Sequence, residues 1–259
     1  MDNNSTVAIF GSGGLAGSAI TRQFINKRHK LLLPRSRDLD LREQADVRAW
    51  FKANKVDYVI LAAALVGGIM ANSNFPAEFI FQNLMIECNL IHGSYLNGVN
   101  KILFLGSSCI YPKDIDGSMK EDMLLSGHLE PTNEPYAIAK ISGIKLCESY
   151  NRQYGTDFRS VMPSNLYGPG DKYDEINSHV IPALIQKFHN AKIKNMKEII
   201  IWGSGKPMRE FLYVEDLANA CVKILEMKKN NYNQYVSDMC SHINIGYGSD
   251  ISIHDLAKL

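Results

Sequence analysis

No apolar run in this chain is long enough to cross a bilayer, and Asp2 with the two asparagines after it does not resemble a signal peptide. No excess of either charge is present: 28 Lys and Arg against 27 Asp and Glu leave a formal +1. That balance removes the electrostatic argument for nucleic acid or an anionic membrane surface as a partner. The five cysteines (Cys88, Cys109, Cys147, Cys221, Cys240) form no CxxC pair, so neither a disulfide framework nor a metal site is expected. Scattered thiols suit a reduced, cytoplasmic protein. There is no internal repeat and no low-complexity tract. What remains is a 259-residue chain, 46% hydrophobic, with room for one large domain carrying a small lobe.

Apolar runs alternate with segments of helical period. TVAIFG precedes a helix near 15–27, and KLLLPR is followed by one near 43–53. DYVILAAA leads to a long helix near 77–96, and KILFLGSS to another over 135–154, after which comes FRSVMPSNLYG. This regularity predicts βαβ crossovers and a Rossmann-type, doubly wound parallel sheet over residues 1–168. Residues 169–259 read as a smaller substrate lobe, interleaved with the last elements of that sheet: a helix in HVIPALIQKFHNAK, a strand in EIIIWG, a helix in VEDLANACVKILEMKK and a strand in HINIGYG. The lobe is expected to be incomplete, because the chain stops inside SIHDLAKL, which reads as a helix. KNNYNQYVSD is expected to be an exposed loop.

The first strand runs into GSGGLAG, with Gly11, Gly14 and Gly17 at GxxGxxG spacing; the same letters also satisfy GxGxxA. A turn of this kind lets backbone N–H groups approach a pyrophosphate and starts a helix whose N-terminus favours anions. The second strand ends in PRSRDLDL, where an NAD site usually has an acidic residue. Arg35 and Arg37 come first here, which suits the 2′-phosphate of NADP(H). Asp40 follows and is a candidate for the adenine side.

In EPYAIAK, Tyr136 and Lys140 are four apart on a helix that Pro135 can start, so they share a face. An ammonium one turn away favours the phenolate, which predicts a lowered Tyr136 pKa. Ser107 ends the fourth strand, and Cys109 follows two residues later. A buried cysteine is most often small core filler, and His179 at the start of a helix is most often a cap.

This combination resembles the extended short-chain dehydrogenase/reductases. The resemblance is carried by AAALVGGIMAN, FLGSSCIYPK, LEPTNEPYAIAKISGIKLCESYNRQYG, SVMPSNLYGP, NSHVIPALI and WGSGKPMREFLYVED, which together span nearly the whole chain. It implies NADPH-dependent conversion of GDP-4-keto-6-deoxy-D-mannose to GDP-L-fucose, by epimerisation at C3 and C5 and reduction at C4. Ser107, Tyr136 and Lys140 would form the reductase triad. Cys109 would be the base and His179 the acid of the epimerase pair. Leu105, Gly106, Ser107, Ser108, Lys140, Pro163, Ser164, Asn165, Leu166 and His179 would border the cofactor. Lys187, Trp202 and Arg209 would hold the GDP-sugar. Many relatives carry Arg at the position of Lys187, so Lys187 keeps the charge without the forked donor. The long helix near 77–96 would contribute to a homodimer.

Two other readings compete. A 4,6-dehydratase would show an acidic pair where this chain has Ser108, Cys109 and Ile110, and a 4-epimerase would have no use for Cys109 with His179. A truncated, non-catalytic NADP-binding protein is the third reading, against which the presence of every catalytic residue argues.

Overall fold

A computed structural model describes residues 1–259 apart from 2, 3, 116, 175–177 and 202. Six parallel strands form the main sheet: β1 (Thr6–Phe10), β2 (Lys30–Leu32), β3 (Tyr58–Leu61), β4 (Lys101–Leu105), β5 (Phe158–Pro163) and β8 (His242–Ile245), in the order β2-β1-β3-β4-β5-β8. Their continuous apolar sequences follow from burial on both faces: β3, β4 and β5 have no residue at the surface. Helices α2 (Gln44–Ala53), α4 (Pro76–Leu96) and α5 (Glu134–Tyr154) cover one face, where Phe104, Phe158 and Ile144 pack. Helices α1 (Leu15–Phe24) and α7 (Val214–Glu226) cover the other, over Ile9, Ile60 and Val161.

The long helices have readable ends. Pro76 and Pro135 sit in the first turns of α4 and α5, where a missing N–H leaves no bond unmade. Gly155 ends α5 at φ +68°, in the left-handed region. The chain lays β2 on one side of β1 and β3 on the other, so the strand order reverses there and a crevice opens at the carboxyl ends. Helix α3 (Ile69–Asn74) follows β3 and borders that crevice.

A second, smaller sheet contains β6 (Asn165–Tyr167), β7 (Met208–Tyr213) and β9 (Asp250–Ser252), with β7 parallel to β6 and antiparallel to β9. Helices α6 (Val180–Ile193), α8 (Lys229–Tyr232) and α9 (Ile253–Lys258) complete the described elements. Among the described residues, no helix is long and apolar enough to cross a membrane, and no cluster of His, Cys, Asp and Glu could hold a metal ion.

Two sequence expectations are corrected. The segment 198–201 forms no strand, and Ile200 is 81% exposed. Its β-branched side chains favour a strand only where a neighbouring strand supplies hydrogen bonds and a layer to pack on, and neither is present among the described residues. KNNYNQYVSD is not simply an exposed loop. It contains α8, and Tyr232 is buried, donating to the Ser241 carbonyl at 2.7 Å and stacking on Arg159 at 4.6 Å.

Candidate active site

The crevice at the carboxyl ends of β1, β3, β4 and β5 deepens into a cleft of about 1400 Å³, with the small sheet as its far wall. Its floor begins at the turn after β1. Gly11 takes φ +86°, and a Cβ there would lie 2.5 Å from Ala63 N, so this turn presses against the end of β3. A Cβ on Gly17 would lie 2.1 Å from Gly11 O, and only hydrogen allows α1 to approach. Gly14 is the N-cap of α1 and has no side-chain cap, which leaves the first backbone N–H groups of that helix open to the cleft.

The Ser12 hydroxyl is buried beside this turn without a hydrogen-bond partner among the described residues. The Arg35 guanidinium lies over the turn, 3.0 Å from where a Gly13 Cβ would be. An orphaned hydroxyl, open N–H groups and a guanidinium around one cradle fit a dinucleotide pyrophosphate. Arg37 does not line the cleft; it is solvent-exposed and 3.6 Å from Asp38. Asp40 does line it, with its carboxyl held down at about 2 by hydrogen bonds from Arg42.

At the end of β4, Leu105 leads into Gly106, where a Cβ would strike Met162 Sδ at 2.3 Å. Residues 108–110 then make one 3₁₀ turn that Ser107 caps, accepting from Cys109 N at 3.5 Å. Ser108 also borders the cleft. The Ser107 hydroxyl is placed to act on both the Cys109 thiol and the Tyr136 phenol arriving from α5, and it works to lower the pKa of each. One oxygen thus joins the two groups that the sequence offered separately.

Lys140, one turn beyond Tyr136, is 2% exposed. Its ammonium donates to the Leu105 carbonyl at 3.1 Å and pairs with Glu87 Oε1 at 3.1 Å. The expected lowering of the Tyr136 pKa is therefore not observed. Burial raises it well above the ordinary phenol value, and the charges on Cys109 and Glu87 add to the rise. The ammonium that was to favour the phenolate is matched by a carboxylate instead. Cys109 shifts the same way: burial pushes its thiol up to about 11, against smaller lowering effects of Ser107 and Lys140.

Pro163, Ser164, Asn165 and Leu166 form the wall between the two sheets, and the Ser164 hydroxyl there is a second buried group without a partner among the described residues. His179 is the N-cap of α6 and reaches the cleft half exposed, its Nδ1 3.9 Å from the buried Asp171 carboxylate. Arg209 enters from β7. Its Nη1 donates to the Met208 carbonyl at 2.7 Å, and it forms no ion pair among the described residues, since Glu215 is taken by Arg22 and Glu210 accepts from Gly248 N. Lys187 lies on α6 away from the cleft and donates to the Ile200 carbonyl at 3.4 Å. Trp202 lies outside the described residues.

The sequence reading missed Asn83, Asn133 and Glu87. Asn83 is fully buried and bonds both the N–H and the carbonyl of Leu65, which fixes the loop after β3. The Asn133 Oδ1 is buried beside the cleft, just before α5, and has no partner among the described residues. The available signal for Asn83 and Glu87 was a polar pair four residues apart within the apolar stretch FIFQNLMIECNL.

An open parallel sheet with a glycine-rich turn at its reversal point, and a Ser–Tyr–Lys trio above it, define a Rossmann-type nucleotide-binding protein. The sequence profile of the NAD dependent epimerase/dehydratase family matches residues 7–246, and the chain belongs to that family. It is 54% identical over 253 residues to the GDP-L-fucose synthase of Escherichia coli (strain K12), covering 97% of this chain and 79% of that protein. Against GDP-L-fucose synthase 1 of Arabidopsis thaliana the identity is 49%, over 100% of this chain and 77% of the relative. A GDP-mannoheptose C4 reductase from Campylobacter jejuni, solved with NADP bound, superposes with a TM-score of 0.90 at 35% identity, over 100% of this chain and 84% of that one.

Proposed function

We propose that this protein converts GDP-4-keto-6-deoxy-D-mannose to GDP-L-fucose, with NADP(H) as cofactor. The observation that carries the reading is the meeting of Ser107, Cys109, Tyr136, Lys140 and His179 on one cleft that Arg209 faces from the small sheet. The GDP-L-fucose synthases at 54% and 49% identity support the same substrate.

Gly11, Ser12, Gly14 and Gly17 receive the pyrophosphate, Arg35 the 2′-phosphate with Arg37 as an exposed second cation, and Asp40 the adenosine side. Leu105, Gly106, Ser108 and residues 163–166 flank the nicotinamide end. NADPH, when bound, supplies the hydride that C4 accepts. Ser107 and Tyr136 hold the C4 ketone oxygen by hydrogen bonds. Tyr136 stays protonated because burial raises its pKa, so it is suited to pass its proton to that oxygen as the alcohol forms.

The same two hydrogen bonds stabilise the enolate left when a proton leaves C3 or C5. Cys109 takes that proton as thiolate, and His179 returns one to the opposite face, which inverts the centre. Arg209 meets the diphosphate, and Trp202 is assigned to the sugar-nucleotide side; Lys187, which lies away from the cleft, is left out of that role. Residues 1–168 supply most of the cofactor half, and 169–259 most of the substrate half. A cytoplasmic homodimer is part of the same reading; neither membrane nor nucleic acid is.

The test is to mix the protein with NADPH and the 4-keto sugar and follow loss of NADPH absorbance together with product identity. Oxidation yielding GDP-L-fucose is expected; a folded sample that leaves NADPH untouched rejects the reading. Cys109→Ser is expected to abolish solvent deuterium uptake at C3 and C5 while NADPH still binds. Unchanged uptake would remove Cys109 from the mechanism.

A further inference from the structure

Beyond its first turn, α4 carries one carboxylate, Glu87, and that side chain is 1% exposed. Its Oε1 lies 3.1 Å from Lys140 Nζ, inside the packing of α4 against α5. The neighbouring residues are shaped for this contact. Gly143 stands one turn after Lys140 on the face opposing Glu87. A Cβ at Gly143 would lie 2.7 Å from Glu87 Oε2 and 2.5 Å from Phe104 Cζ, so the carboxylate occupies a notch that only glycine leaves open. Phe104 forms the floor, 4.8 Å below the ammonium.

An ammonium has three N–H donors. Here the Leu105 carbonyl takes one, and the Glu87 carboxylate lies 3.1 Å away as an ion pair although neither of its oxygens meets hydrogen-bond geometry among the described residues, so the ammonium is held between a carbonyl and a counter-charge. We propose that Glu87 is a positioning residue for the reductive step, holding the Lys140 ammonium in place as its buried counter-charge. This rests on the reading of Lys140 as part of the reductase trio.

The groups that face Glu87 are Lys140, Tyr136 and Cys147 on α5 and Cys88 on its own helix, while β4 presents Phe104 and the Leu105 carbonyl, which carry no charge. Lys140 is thus the cation that faces the carboxylate in this group. Burial raises the Glu87 carboxyl to about 7, against the lowering effect of Lys140, so the strength of the pairing varies across the neutral range.

Glu87→Gln keeps the shape and deletes the charge. A buried ammonium stripped of its partner gives up its proton more readily. The pH profile of NADPH oxidation should therefore have its alkaline limb displaced to lower pH by about one unit or more. At pH 8.5, kcat should fall about tenfold while KM for the 4-keto sugar stays within about twofold. Glu87→Asp, which restores the charge, should move the limb back towards wild type.

A limb in the wild-type position for Glu87→Gln, or a Glu87→Asp profile no nearer wild type than that of Glu87→Gln, would overturn the proposal. A second arm needs no turnover. If Glu87 acts through Lys140, the neutral pair Glu87→Gln/Lys140→Met should melt at a higher temperature than Glu87→Gln alone, because no buried charge is left unpaired. A double variant no more stable than the single one rejects the coupling, whatever its activity. Wild-type oxidation of NADPH tests the assigned reaction by itself, so the two failures are distinguishable.

Discussion

At the scale of single residues, Ser107 does two things with one hydroxyl. It caps the turn that carries Cys109, and it works to lower the pKa of both the Cys109 thiol and the Tyr136 phenol, so the proton-transfer and proton-abstraction groups share one neighbour. The high thiol pKa has a kinetic consequence. If the Cys109 thiolate is the base, deuterium uptake at C3 and C5 in a His179→Gln variant, which removes the opposing acid, should rise about tenfold per pH unit between pH 7 and 9, well below the value of about 11. A flat profile, measured by mass spectrometry of the recovered sugar, would assign the base elsewhere. Tyr136 and Lys140 were legible in the sequence, because a spacing of four on a helix places both on one face. The sign of their electrostatics was not legible. It depends on Glu87, 53 residues before Lys140, which meets that lysine only when α4 packs on α5. Local spacing cannot report a partner brought in by tertiary contact.

At the scale of elements, the alternation of strands and helices was readable because the central strands β3, β4 and β5 are buried on both faces and the two longest helices have a proline in their first turns. The glycine turn after β1 was readable for the same physical reason that makes it testable. Gly17→Ala places a methyl group 2.1 Å from a backbone oxygen, and backbone cannot swing aside as a side chain can. Thermal unfolding should show a loss of about 1–3 kcal/mol, and fluorescence titration should show NADPH affinity down by at least about tenfold. Wild-type affinity in that variant would mean that the close approach of α1 to the turn is not needed for the cofactor. Residues 198–201 were misread because strand propensity describes a side chain on a pleated surface, and the surface has to be supplied by other parts of the chain. The segment around α8 was misread because its polar letters hide Tyr232, whose partners Arg159 and Ser241 lie 73 positions before it and nine after it.

At the scale of the whole molecule, α4 and α5 lie side by side and still expose Phe81, Leu96, Ile138 and Tyr154. An apolar stripe on paired helices is a natural two-fold contact, since the same surface can meet itself. If the proposed homodimer uses this face, Phe81→Lys is expected to lower the mass measured by light scattering towards that of one chain while the fold is retained; an unchanged mass would place any self-association elsewhere. The exposed Ile200 sets a different condition on handling. A short isoleucine-rich stretch with strand-forming letters and no ladder of its own can add to the sheet edge of another molecule. Loss of protein from solution on concentrating would then begin at the rim of the small lobe, with the catalytic cleft still intact.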